Sequence, residues 1–267
     1  MFSFVSEAFG GRAIGLFGPS RFLDADIEDW LLETWAWLMA NLGGMARIQG
    51  TPLVLPTREF YPPTDAVGHE RALYVFEQTK RLMGIAERAC RLEALDSPRE
   101  DQFIGTYAKL APGKRANGTF RIEDGEVIIS YASKLVDDPR GLIATLAHEL
   151  SHYLLATIRK PMPGGMQLHE LATDLTVAFA GFGVFGANHA FTFAQHQDAF
   201  GQGWQAGRNG YLSERSWAFA LALFAALKDV EVPREQLKGS VADLTRKATR
   251  YLAGNPARLA PLQAIAS

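Results

Sequence analysis

Leu142-Ile143-Ala144-Thr145-Leu146-Ala147-His148-Glu149-Leu150-Ser151-His152-Tyr153-Leu154-Leu155-Ala156-Thr157-Ile158 decides how this chain is read. The run is apolar nearly all round, as a buried helix is, yet it carries two histidines and a glutamate. His148 and His152 stand four apart, a little more than one helical turn, so both imidazoles leave the same face. That separation suits two ligands of one tetrahedral zinc ion. Glu149 lies next to that face, where it could reach a metal-bound water without ligating the metal. Buried histidines and carboxylates need partners, and convergence on a metal supplies them.

A second element follows seventeen residues after His152: His169-Glu170-Leu171-Ala172-Thr173-Asp174-Leu175, at the head of another apolar segment. Glu170 and Asp174 are again four apart on one helical face. Two histidines and one carboxylate, with water in the fourth position, make the hydrolytic form of a zinc site. A further carboxylate that holds a ligand histidine in its tautomer is the usual companion. Glu170 fits the first role and Asp174 the second. His169, beside Glu170, stays open as the third ligand, although that choice leaves the Glu–Asp pair without a purpose. A structural zinc site fills all four positions, typically with cysteines, and this chain has one cysteine.

HExxH followed by ExxxD on a second helix resembles the catalytic core of the gluzincin metallopeptidases, over roughly residues 128–185. The resemblance implies a zincin-like α+β fold, predominantly helical with a small sheet. It implies Zn²⁺ held by His148, His152 and Glu170, with Glu149 as general base and Asp174 orienting His148. The activity implied is that of a zinc-dependent metallohydrolase, a peptidase acting on a peptide or protein substrate. Zinc peptidases often aim a Tyr, His or Arg at the oxyanion of the tetrahedral intermediate. His196, Arg208 and Tyr211 are candidates by position. The alternative, from a different class, is a non-proteolytic zinc-binding sensor or partner-binding protein with the same cleft. Glu149 discriminates, since a sensor would tolerate Gln there.

Composition narrows the rest. At 267 residues the chain is expected to form one zincin-like domain, with a helical part over about 1–100 and the metal-site core over about 101–230. A net charge of −2 offers no general attraction to nucleic acid or to acidic membrane surfaces. The single Cys90 excludes an intramolecular disulfide, fits a reducing compartment and reads as structural rather than nucleophilic. The N-terminus lacks the basic region of a signal peptide, so the expected localisation is cytoplasmic. Leu175 to Phe193, the most apolar stretch, is interrupted by Gly181, Gly183, Gly186, Asn188 and His189, and reads as a buried core helix rather than a membrane span. Oligomeric state has no signature here.

Along the chain, periodicity predicts a helix over Asp24–Met45, capped by Asp24 or Asp26 and ended by Gly43-Gly44. A short strand at Leu53-Val54-Leu55 lies in a proline-rich loop. Asp65–Leu95 reads as one long amphipathic helix with Val67, Phe76, Leu82-Met83, Ala86 and Cys90 inward, and His69 on its surface. Thr119 to Ser130 is the clearest β signal, two alternating runs about Asp124-Gly125, a dipeptide favoured in type I′ hairpin turns. Helices follow over Pro139–Ile158, Leu168–Phe185, Ser213–Leu227 with Ser213 as cap, and Ser240–Leu252. His189 and His196 fall in a loop-like stretch. Gly15 to Ser20 looks like a phosphate loop but has neither its lysine nor a preceding strand.

Overall fold

The computed structural model describes residues 21–95, 117–195 and 211–266. Helix α1 (Ala25–Leu42) lies where a helix is predicted, but its buried stripe is centred on Leu31, Leu32, Trp35, Leu38 and Met39, with Ile27, Trp30 and Trp37 only half-buried, and Gly43 closes it. Asp24 sits at the N-cap but gives its carbonyl, accepting from Glu28 N–H at 2.9 Å, rather than its carboxylate. A short helix, α2 (Gly44–Gly50), follows directly.

Two expectations are corrected here. Leu53–Leu55 joins no sheet; instead Val54 N–H donates to the Gly181 carbonyl at 2.9 Å. The helix read over Asp65–Leu95 is really α3 (Gly68–Leu82) followed by a strand, β1 (Arg91–Leu95). Gly84, at φ +66°, and the Ile85 N–H bond to the Lys80 carbonyl (2.9 Å) end α3 in a Schellman turn. Phe76 and Met83 are buried as expected, whereas Val67 and Ala86 are exposed. Cys90 is half-buried just ahead of β1, and burial raises its thiol pKa, as befits an unreactive cysteine.

The hairpin is present as β2 (Gly118–Glu123) and β3 (Glu126–Ala132), joined by Asp124-Gly125. β1 pairs in parallel with β3, giving the order β1-β3-β2 with β2 at one edge of this sheet. Leu92 and Phe120 both lie opposite Ile129, which puts three apolar side chains on the face that packs against the next helix. That helix, α4 (Pro139–Ala156), has Pro at its first turn and Asp138 accepting from Gly141 N–H at 3.0 Å. It is buried almost throughout, His148, Glu149 and His152 included.

The predicted Leu168–Phe185 helix is divided in three: α5 (His169–Val177), a π-helical segment (Ala178–Phe182) and α6 (Gly183–Gln195). Gly181 has φ +88°, and a Cβ there would lie 2.0 Å from the Pro52 carbonyl, so the bulge makes room for the 52–54 segment. Met166–His189 is apolar enough to cross a membrane by composition, yet 94% of its apolar window is buried inside the protein, as a core helix would be. α7 (Glu214–Lys228) is capped by the Ser213 hydroxyl, which accepts from Ser216 N–H; α8 (Gly239–Ala253) and α9 (Ala260–Gln263) follow. One hydrophobic cluster runs from Phe22 to Leu262. The architecture is mostly helical with a small mixed sheet, of α+β class.

Candidate metal centre

α4 and α5 pack against each other and bring HExxH face to face with ExxxD. Nε2 of His148 and Nε2 of His152 are 3.2 Å apart, and Oε2 of Glu170 lies 3.3 Å from the first and 3.6 Å from the second. Two atoms each about 2.0–2.1 Å from one tetrahedral zinc lie roughly 3.3–3.4 Å apart. The triangle therefore has the size of one face of such a site, and two imidazole nitrogens with a carboxylate oxygen form a donor set that zinc takes.

The far sides of the imidazoles fix their tautomers. His148 Nδ1–H donates to Asp174 Oδ1 at 3.0 Å, so Asp174 holds the far side of this imidazole. For His152 the partner is Thr173. Its hydroxyl gives its one proton to the His169 carbonyl (2.9 Å), so toward His152 Nδ1, at 3.2 Å, it can only accept. Both Nε2 atoms thereby present lone pairs to the same point, an arrangement that calls for a positive charge between them. The electrostatics agree. Burial alone would lower His148, but bonds to Asp174 and Glu170 outweigh it and raise its pKa well above the ordinary value. Burial holds His152 at about 3, hence neutral. Burial opposes the charge on Glu170, yet His152, His148 and His169 bring it well below the usual carboxylate range. A buried, negatively charged pocket that takes up a proton on His148 is equally suited to a cation.

Glu149 is buried, and its Oε2 has no hydrogen-bond partner among the described residues. Burial pushes its pKa up to about 8. A buried carboxylate oxygen with a raised pKa and no partner is a candidate for proton transfer. The start of β2 lies against it: a Cβ on Gly118 would be 2.9 Å from Glu149 Oε1. Phe120 of the same strand stacks on His152, with ring centroids 6.0 Å apart.

The other candidates separate cleanly. His169 stacks on His152 with centroids 5.0 Å apart, while its Nδ1 is 3.8 Å from Glu170 Oε1; it lies outside the converging trio. Tyr211 has its ring 5.9 Å from that of His148, and burial together with Glu170, Asp174 and Glu149 raises its phenol well above the usual range, so it remains a proton donor. Leu212 N–H, next along the chain, donates to Asp174 Oδ2 at 2.9 Å. His189 is helical rather than in a loop, and its Nδ1–H donates to the Phe185 carbonyl at 3.0 Å. His196 and Arg208 lie outside the described residues, as do Gly15 to Ser20.

Thr173 and Gly118 escaped sequence reasoning. Thr173 had a signal available, a hydroxyl one position before the proposed orienter and four after His169. Gly118 had none, since its role is its closeness to Glu149, 31 residues further along the chain. No protein-family model, curated protein or solved structure gives a significant match to this chain, and the case for its chemistry rests on the geometry of this centre.

Proposed function

We propose that this chain is a zinc-dependent metallohydrolase with a zincin-like core, a peptidase of gluzincin pattern. The observation that carries the reading is the unpartnered, buried carboxylate oxygen of Glu149 beside three converging donors, His148, His152 and Glu170. A structural site would have no use for that carboxylate. Zinc, when bound, supplies Lewis acidity toward a scissile carbonyl and a lowered pKa, near ~7, for water.

The chain's own residues do the rest. Glu149 accepts a proton from the attacking water and returns it to the leaving amine. Asp174 and Thr173 keep both imidazoles in the Nε2-acceptor tautomer throughout. Tyr211 is the one oxyanion candidate among the described residues, its phenol held protonated beside His148. Among the described residues β2 is an edge strand, and with Gly118 against Glu149 it offers a backbone along which an extended peptide could pair by strand addition.

Glu149→Gln tests the reading. The variant should fold and bind zinc as the parent does, while hydrolysis of a proteome-derived peptide library falls about 10²- to 10⁴-fold. A variant as fast as the parent rules out Glu149 as base. A zinc-loaded parent that cleaves nothing across the library leaves the non-proteolytic sensor in place of the peptidase.

A further inference from the structure

Beside the metal centre, behind Tyr211 and Leu212, lies a cavity of about 410 Å³ whose other walls include Ile27 and Trp30 of α1 and Leu171 of α5. His169 bears on the ligands more directly. Its ring lies nearly parallel to that of His152, at 13° with centroids 5.0 Å apart, and Phe120 stacks on the same imidazole at 19° and 6.0 Å. Its carbonyl takes the Thr173 hydroxyl proton. Its Nδ1 stands 3.8 Å from Glu170 Oε1.

The two oxygens of Glu170 are thereby divided. Oε2 faces the histidine pair, 3.3 Å from His148 Nε2 and 3.6 Å from His152 Nε2, while Oε1 faces His169. The division matters because a carboxylate can give a cation one oxygen or two. With one, His148, His152 and Glu170 make three bonds, and a tetrahedral ion keeps its fourth position for water. With two, Glu170 takes up that position itself. Little else decides between them. Among the described residues the hydrogen bonds and ion pairs of this carboxylate are to His148, His152 and His169 alone, and its side chain is 25% exposed, so it has room to turn.

We propose that His169 is a positioning residue that keeps Glu170 a one-oxygen ligand and so keeps the fourth position of the centre open. The proposal rests on the reading of Glu170 as a metal ligand and adds what sets its mode of binding. An N–H at Nδ1 holds negative charge on Oε1. At 3.8 Å the hold is electrostatic, longer than a direct hydrogen bond. Against the burial that would raise its pKa, His152, His148 and His169 together keep Glu170 ionised. The stack on His152 keeps the His169 ring from following Oε1 if the carboxylate turns inward, so that turn forfeits the contact.

Two substitutions separate the nitrogen from the ring. His169→Phe keeps the stack and loses Nδ1. His169→Asn loses the stack, but its amide N–H can stand where Nδ1 stood. Each full-length protein is stripped with chelator and loaded with Co²⁺, whose visible absorption is intense when four-coordinate and weak when five- or six-coordinate. The parent should show the intense band. His169→Phe should lose it with cobalt stoichiometry unchanged by elemental analysis, and His169→Asn should keep it. Where peptide is cleaved, His169→Phe should lower kcat about 10- to 100-fold and His169→Asn should restore it, the range typical for partners of metal ligands. A role in packing alone gives the reverse order, with the Phe variant like the parent and the Asn variant altered. An intense band in His169→Phe overturns the proposal, as does a weak band in the parent or in both variants. Should His169→Phe not fold, His169→Leu carries the same loss of nitrogen. A parent that binds neither Co²⁺ nor Zn²⁺ removes the metal centre and the proposal with it. The expected set of spectra supports the proposal even where no peptide is cleaved, since no band depends on turnover.

Discussion

Thr173 has one hydroxyl proton, and the His169 carbonyl takes it. The consequence passes to His152, whose Nδ1 must then carry a proton and whose Nε2 must then be free to ligate. Thr173→Val keeps the shape of the side chain and leaves that buried N–H without an acceptor. Zinc affinity, measured by competition with a chromophoric chelator, should fall about 10- to 100-fold, the range typical for partners of ligand histidines. Thr173→Ser should restore most of it; an unchanged affinity in the valine variant would detach Thr173 from the centre. Asp174 could be read from spacing because ExxxD repeats the four-residue logic of HExxH. Thr173 could not, because a threonine inside a helix looks ordinary until a second helix is laid against it.

Between elements, closeness rather than chemistry carries the argument. β2 approaches α4 so tightly at Gly118 that a methyl group there would lie 2.6 Å from Thr145 Cγ2 and 2.9 Å from Glu149 Cγ and Oε1. Gly118→Ala should therefore displace the Glu149 carboxylate while leaving His148, His152 and Glu170 in place. Peptide cleavage should drop at least about tenfold with zinc stoichiometry intact by elemental analysis, and stability should fall by about 1–3 kcal/mol, the usual cost of overpacking. Full activity in this variant would show that β2 does not confine the base. The sequence announced α1, α4, α7, α8 and the hairpin because each has a local signal: apolar periodicity, a Ser213 cap, the Asp124-Gly125 turn. It concealed β1, whose partner β3 is paired residue for residue across more than thirty intervening positions, as at Arg91 and Ile128. Arg91–Leu95 alone fits the tail of an amphipathic helix; only Gly84 hinted that the helix had already stopped. The π-helical break at Gly181 was hidden for a similar reason, since what it accommodates is the distant Pro52 carbonyl.

At the scale of the molecule, the two ends of the described chain are tied together. Glu28 of α1 is wholly buried, yet its carboxylate accepts from the Tyr251 hydroxyl of α8 at 2.8 and 3.0 Å and lies 3.4 Å from Arg258 Nε. That tie holds α1, and with it Ile27 and Trp30, in position as one side of the cavity. The cavity itself could not be read in advance, because its walls come from α1, α5 and residues 211–216, which only the finished core assembles. Asp174 then joins that assembly to the metal centre, giving one oxygen to His148 and the other to Leu212 N–H. A carboxylate shared in this way would couple the placing of residues 211–216 to that of His148, and such coupling is reciprocal. Leu212→Pro, which removes the N–H that Asp174 accepts from, should weaken zinc binding about 10- to 100-fold by chelator competition, the range typical of partners of ligand histidines. An unchanged zinc affinity would break the link. With the link in place, a metal ion held at His148 would also steady the wall of the cavity at Tyr211 and Leu212.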